Sequence, residues 1–233
     1  MTSLSYASAL IIGAGSGISA SLARQLTKAG VKVALAARDK HKLASLCSET
    51  GAVAFAADAT DPRSVERLFN EAEQALGSID ILVYNASIRV PGPITDVDPE
   101  TVQHSLMTTA YGGFLAAQQA ARRMIPKGSG AMLFTGASAS VKGYPKSAAF
   151  AMGKFGLRGL AQSLARELGP QGIHVAHFVI DGAVSSPARE RSDTPSDSML
   201  SPDAIAQTYL DVLRQPKNAW SLEVELRPWV ERF

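Results

Sequence analysis

Apolar residues in this chain recur in short, nearly unbroken runs: Ala7–Ile12, Val31–Ala36, Ala52–Ala56, Ile79–Tyr84, Ala131–Thr135 and His174–Val179. Runs of that length with little polar alternation predict strands buried on both faces of a parallel sheet. A seventh run, Leu222–Leu226, alternates apolar residues with Glu223 and Glu225, which predicts a strand with one polar face at a sheet edge. Helical patterns fill the gaps, at Ile18–Ala29, Lys40–Glu49, Pro62–Leu76, Pro99–Ile125, Ala148–Leu168 and Pro202–Arg214. Alternating strands and helices with short connections predict one α/β domain over 1–233. Its core is a doubly wound parallel sheet of about seven strands with helices on both faces. The one irregular stretch, Ser185–Ser201, is rich in Ser, Pro, Asp and Arg and reads as a flexible substrate loop.

Bulk properties narrow the function. The 233 residues are 46% hydrophobic and 19% charged, enough to bury a sizeable core. A net charge of +2 gives no footprint for nucleic acid or a membrane surface. The first apolar run is too short to span a bilayer and lacks a cleavage-site pattern, so no signal peptide is expected. The single Cys47 sits in an amphipathic helical pattern, excludes an internal disulfide and reads as packing; with it goes an expectation of the cytoplasm. His174 and His177 stand three apart on a strand and point to opposite faces, while His41 and His104 are isolated, so no metal site is expected.

The candidate chemistry starts at Ile12-Gly13-Ala14-Gly15-Ser16-Gly17-Ile18-Ser19, directly after the first predicted strand and opening the first helix. In that context Gly13, Gly15, Ser16, Gly17 and Ile18 are candidates to cradle a dinucleotide pyrophosphate. Glycines permit close backbone approach, and a helix N-terminus attracts the anion. The second strand ends Ala36-Ala37-Arg38-Asp39. Ala37 cannot accept from ribose hydroxyls, whereas Arg38 suits a 2′-phosphate, which favours NADP(H) over NAD(H). The other use of Arg38 is a solvated helix start. Asp39 and Asp61 read as helix N-caps.

Further on come Asn85-Ala86-Ser87, then Ser138, then Phe150-Ala151-Met152-Gly153-Lys154. Together with the glycine loop this layout resembles the short-chain dehydrogenase/reductase family, over nearly the whole chain. The resemblance implies a Rossmann-type fold and a nicotinamide cofactor. It assigns Asp58 to the adenine edge, Asn85 and Ala86 to the cofactor, and Ser138 and Lys154 to catalysis, with Lys154 also holding the nicotinamide ribose. The departures are as informative. Ser19 replaces the loop's last glycine, where a serine still starts the helix. Phe150 stands where the family carries its proton-donating Tyr, four residues before the Lys, and Thr109 stands where it carries an Asn. Asp181-Gly182 replaces Pro-Gly. A phenylalanine has no titratable proton, so a substitute is required: Tyr144, Tyr111, or a water polarised by Lys154 and Ser138. Tyr144 could equally be a loop anchor.

The resulting expectation is an NADP(H)-dependent oxidoreductase with an altered site, acting on a small carbonyl or alcohol. The rival is an inactive NADP(H)-binding sensor or partner protein of the same fold. Small residues on the fourth and fifth helices, such as Gly112, Ala116, Gly153 and Gly156, match the helices that form the family's subunit interface. A homodimer or homotetramer is expected, although small residues serve equally for packing inside one subunit.

Overall fold

A computed structural model describes residues 4–186, 189 and 197–231. Its centre is one seven-stranded sheet: β1 (Ser8–Ile12), β2 (Lys32–Ala37), β3 (Val53–Ala56), β4 (Ile81–Tyr84), β5 (Gly130–Thr135), β6 (Ile173–Ile180) and β7 (Glu223–Leu226). The order is β3-β2-β1-β4-β5-β6-β7, with every pairing parallel. Side-chain alternation sends Ala9 and Ile11 to one face and Leu10 and Ile12 to the other, and each face carries its own apolar core. On the first face lie α1 (Ile18–Lys28), α2 (Ala44–Thr50) and α7 (Pro202–Leu213). On the second lie α3 (Pro62–Leu76), α5 (Gly112–Met124) and α6 (Ala148–Leu168). As the alternation predicts, β7 pairs only with β6 and exposes its glutamates.

Local chemistry sets the helix starts. Asp61 accepts from the N–H groups of Arg63 and Ser64 ahead of Pro62, and Gly77 ends α3 in the left-handed region. Asp39 accepts from the His41 N–H and opens a 3₁₀ turn, Lys40–Leu43, before α2.

The predicted helix over Pro99–Ile125 is corrected in its middle. It runs as α4 (Pro99–Leu106), a π turn (Met107–Tyr111) and then α5. The buried Tyr84 hydroxyl donates to the Thr108 carbonyl within that turn. A Cβ at Gly112 would come 2.3 Å from the same hydroxyl. The phenol from β4 thus occupies the space that two successive glycines leave open, and the helix swells around it. Side-chain periodicity along the helix carries no trace of a partner on another element.

The ends of the irregular stretch are tied together. Val184 bridges Leu200, Ser185 N–H donates to the Leu200 carbonyl at 2.8 Å, and the Trp229 indole donates to Asp197 at 2.9 Å. Residues 187, 188 and 190–196 of the expected substrate loop lie outside the described residues.

Candidate functional site

The strand order turns around at β1, which pairs with β2 on one side and β4 on the other. The loops leaving β1 and β4 therefore diverge, and they open a crevice at the carboxyl ends of the strands, where open α/β sheets bind ligands. The glycine loop forms its floor. Gly13 has φ +84°, and a Cβ there would come 2.4 Å from the Ala86 nitrogen. Only glycine lets the β1 loop lie against Asn85-Ala86. At Gly15 and Gly17 an added Cβ would meet nothing within 4 Å, so the fold itself does not demand glycine there. Both face open clefts. Gly17 caps α1 without a side-chain acceptor, which leaves the first helical N–H groups to a ligand.

Ser19 is the second residue of α1 and lies buried in its first turn, where it donates to the Gly13 carbonyl at 3.3 Å and accepts from the Asn85 amide at 2.7 Å. It ties the glycine loop to the β4 loop, a link that only the paired strands make visible.

On the β2 side of the crevice lies a cavity of 490 Å³. Arg38, Ala37, Asp58, Asn85 and Ala86 line it together with Gly13, Gly15 and Ser16. Asp58 accepts from the Thr60 N–H and hydroxyl, each at 2.8 Å, and these bonds hold its carboxyl below the ordinary value. It enters the site as an anchored carboxylate. Tyr84 is buried beneath, with its phenol pushed up by burial and by the Asp58 charge.

On the β5–β6 side a second cavity of 680 Å³ brings together Ser138, Phe150, Lys154 and Tyr144. Ser138 begins a short 3₁₀ turn after β5, while Phe150 and Lys154 lie four apart on α6. Lys154 is buried. Its ammonium donates to the Thr135 carbonyl at 2.7 Å and lies 5.7 Å from the Phe150 ring centre. Burial pushes its pKa down to about 8. Tyr144 is half exposed at the rim. Tyr111 is not brought there: it stacks on Phe114, with ring centres 6.2 Å apart, and does not line the cavity. Thr109 is buried beside it, and its hydroxyl accepts from the Ile88 N–H at 3.5 Å.

Asp181 escaped assignment in the sequence, although its replacement of a proline was the available signal. It is buried at the end of β6, with the Lys142 ammonium at 3.0 Å and the Arg227 guanidinium at 3.6 Å. Burial pushes its carboxyl up, but the Ser138 hydroxyl, Lys142 and Arg227 outweigh that and hold it below the usual range. Asp181 thereby links the Ser138 loop to the segment after β7.

The histidines do not converge. His174 bonds the Ser221 carbonyl at 2.9 Å and stacks on Trp220, while His177 lies 3.3 Å from Glu223. Among the described residues no three His, Cys, Asp or Glu side chains are grouped to hold a metal. Cys47 is half-buried against the first core, and burial pushes its thiol up. No helix among the described residues is long and apolar enough to cross a membrane.

A single-domain Rossmann-like sheet with a crevice over its switch point defines a dinucleotide-binding class of enzyme folds. The chain belongs to the short-chain dehydrogenase family, whose pattern matches residues 7–196. An uncharacterised oxidoreductase of Staphylococcus aureus is 28% identical over 235 residues, covering 98% of this chain and all of that protein. A short-chain dehydrogenase from Rhodopseudomonas palustris superposes with a TM-score of 0.83 at 34% identity, over 96% of this chain and 99% of that one. A metagenomic short-chain oxidoreductase, solved in complex with NADP, gives a TM-score of 0.85 at 26% identity, covering 99% of this chain and all of its own.

Proposed function

We propose that this protein is an NADP(H)-dependent oxidoreductase that interconverts a small carbonyl and its alcohol in an altered active site. The observation that carries this reading is the meeting of Ser138 and Lys154 in one cavity beside an open glycine loop. The groups present suit a dinucleotide. The loop has bare glycines at 15 and 17, α1 has no side-chain cap, and Arg38 stands at the end of β2 where a 2′-phosphate would lie. The structural neighbour in complex with NADP supports the same choice. The nicotinamide supplies the hydride when bound, which is the hard step. The protein's task is then to orient the substrate oxygen and manage one proton.

Ser138 and Lys154 are the orienting pair. Phe150 stands at the position where this family carries its tyrosine, so the proton must come from elsewhere. Tyr144 at the rim or a water held between Ser138 and Lys154 is the proposed source. Lys154, with a pKa near 8, retains its charge at neutral pH while lying close enough to neutrality to respond to a ligand. Phe150 also supports the second reading, an NADP(H)-binding protein without turnover. The test is a titration with NADPH and NADH, followed by NADPH oxidation against a broad carbonyl panel. Tight NADPH binding with reduction of any member supports the enzyme. Binding without reduction supports the sensor or partner.

A cytoplasmic, self-associating protein is part of the proposal. Three of the glycines first considered for the interface are used inside the subunit: Gly112 faces Tyr84, Gly153 faces Thr109 and Gly156 faces Ala110. The support for a homodimer or homotetramer comes instead from Phe114, Met152 and Phe155, three large apolar side chains of α5 and α6 that are 43%, 53% and 43% exposed.

A further inference from the structure

We infer that the substrate carries an anionic group, a carboxylate or a phosphate monoester, and that Arg89 receives it. The inference rests on reading the Ser138–Lys154 cavity as the reaction site. Three cations line this cavity, Arg89, Lys154 and Arg189, and among the described residues no Asp or Glu does. The chain's net charge is only +2, so this local excess is not a reflection of the whole surface. Apolar side chains including Pro145, Phe150 and Ile180 form much of the wall. A concave site with low-dielectric walls and charges of one sign focuses its field on the opposite charge.

The three cations are not equivalent. Lys154 is committed inward, to the Thr135 carbonyl. Arg189 also lines the cleft along the glycine loop and donates to the Val184 carbonyl at 3.1 Å, which puts it on the nucleotide side. Arg89 lines the substrate cavity and neither of the two nucleotide clefts. It forms no ion pair and no side-chain hydrogen bond with the described residues, and the residue is exposed. A planar guanidinium matches a carboxylate or phosphate with two parallel hydrogen bonds.

The backbone behind it is fixed. Ser105 donates to the Ile88 carbonyl at 2.8 Å, and the Ile88 N–H donates to Thr109 at 3.5 Å. The residue preceding Arg89 is thus clamped on both sides to α4 and the π turn. The clamp orders the backbone in advance, so a ligand has only the Arg89 side chain left to order. The role of Thr109 follows from the same contact: it supports the loop that presents Arg89.

The experiment compares matched pairs of carbonyl compounds: phenylglyoxylate with its methyl ester, dihydroxyacetone phosphate with dihydroxyacetone, and succinic semialdehyde with butanal. Calorimetry measures their affinity for the protein saturated with NADP⁺, and NADPH binding is measured separately. In at least one pair the anionic member binds about tenfold tighter or more, as a charge-assisted pair allows. The carboxylate and phosphate pairs decide which group is meant. Arg89→Gln brings the two members to within about twofold while leaving NADPH affinity unchanged, and Arg89→Lys retains part of the preference. Three pairs without anion preference overturn the inference. So does a preference that survives Arg89→Gln and disappears in Arg189→Gln. A parent protein that fails to bind NADPH instead sinks the underlying reading. Anion preference without reduction of any carbonyl removes the oxidoreductase and leaves the anion site standing.

Discussion

The Lys154 ammonium lies 5.7 Å from the centre of the Phe150 ring, one helical turn away on α6, and donates to the Thr135 carbonyl at 2.7 Å. The charge is therefore held by a backbone oxygen and a ring face, with no hydroxyl in between. Such a lysine can position a ligand, but the group in register with it has no proton to give.

Under the proposed function, Phe150→Tyr puts a phenol beside that ammonium. Carbonyl reduction should rise by about 10²–10⁴-fold, the usual contribution of general acid catalysis. Tyr144→Phe should depress the parent's activity if Tyr144 is the substitute donor and leave it unchanged if water is. Steady-state rates at saturating NADPH check both variants. A Phe150→Tyr protein that folds, binds NADPH and remains silent argues for the non-catalytic reading.

Burial of Lys154 has a pH signature. Its folded pKa of about 8 lies below the unfolded value near 10.4, so the unfolded chain holds more protons between them. The cost of burying the charge is fully present below pH 8 and fades as pH rises through that window. Relative to Lys154→Met, the parent should therefore gain up to about 3 kcal/mol between pH 7 and pH 10.5. Urea denaturation of both proteins at the two pH values measures the difference. A gap independent of pH would refute the lowered pKa of Lys154.

Arg38 fixes the nucleotide preference in this reading. It lines the cavity at the end of β2 next to Ala37, which offers no acceptor to a ribose. Arg38→Ala should weaken NADPH by roughly 1.5–3 kcal/mol and leave NADH nearly unchanged. Fluorescence titration with both nucleotides reads this directly, and a parent that binds them equally tightly contradicts the assignment.

Gly112→Ala tests the packing behind the site. The new Cβ would come 2.3 Å from the Tyr84 hydroxyl and 2.7 Å from the Ala59 carbonyl. Overpacking of this kind costs about 1–3 kcal/mol, against a gain near 1 kcal/mol in helix propensity. The melting temperature should fall, and Tyr84→Phe in the same chain should recover part of the loss. A variant as stable as the parent would show that the π turn yields at no cost.

The order of strands and helices was readable in the sequence because burial on both faces forces continuous apolar runs, and because Asp61-Pro62 and Ser201-Pro202 mark helix starts by local chemistry alone. The glycine loop was readable for the same local reason: Gly13 requires a positive φ, and its position after β1 and before α1 is a matter of a few residues. What periodicity cannot carry is contact between distant segments. The link between Ser19 and Asn85, 66 residues apart, exists only because β1 and β4 are paired. The π turn exists because a tyrosine on β4 reaches a carbonyl 24 residues later. The placement of Arg89 in the cavity of Ser138 and Lys154 depends on how the loop after β4 is tied to Ser105 and Thr109, and the exclusion of Tyr111 on which helix face meets the sheet. Residue type and spacing fix the groups available; the packing of sheet and helices fixes which of them share a cavity, because only there do burial and neighbouring charge set what each group can do.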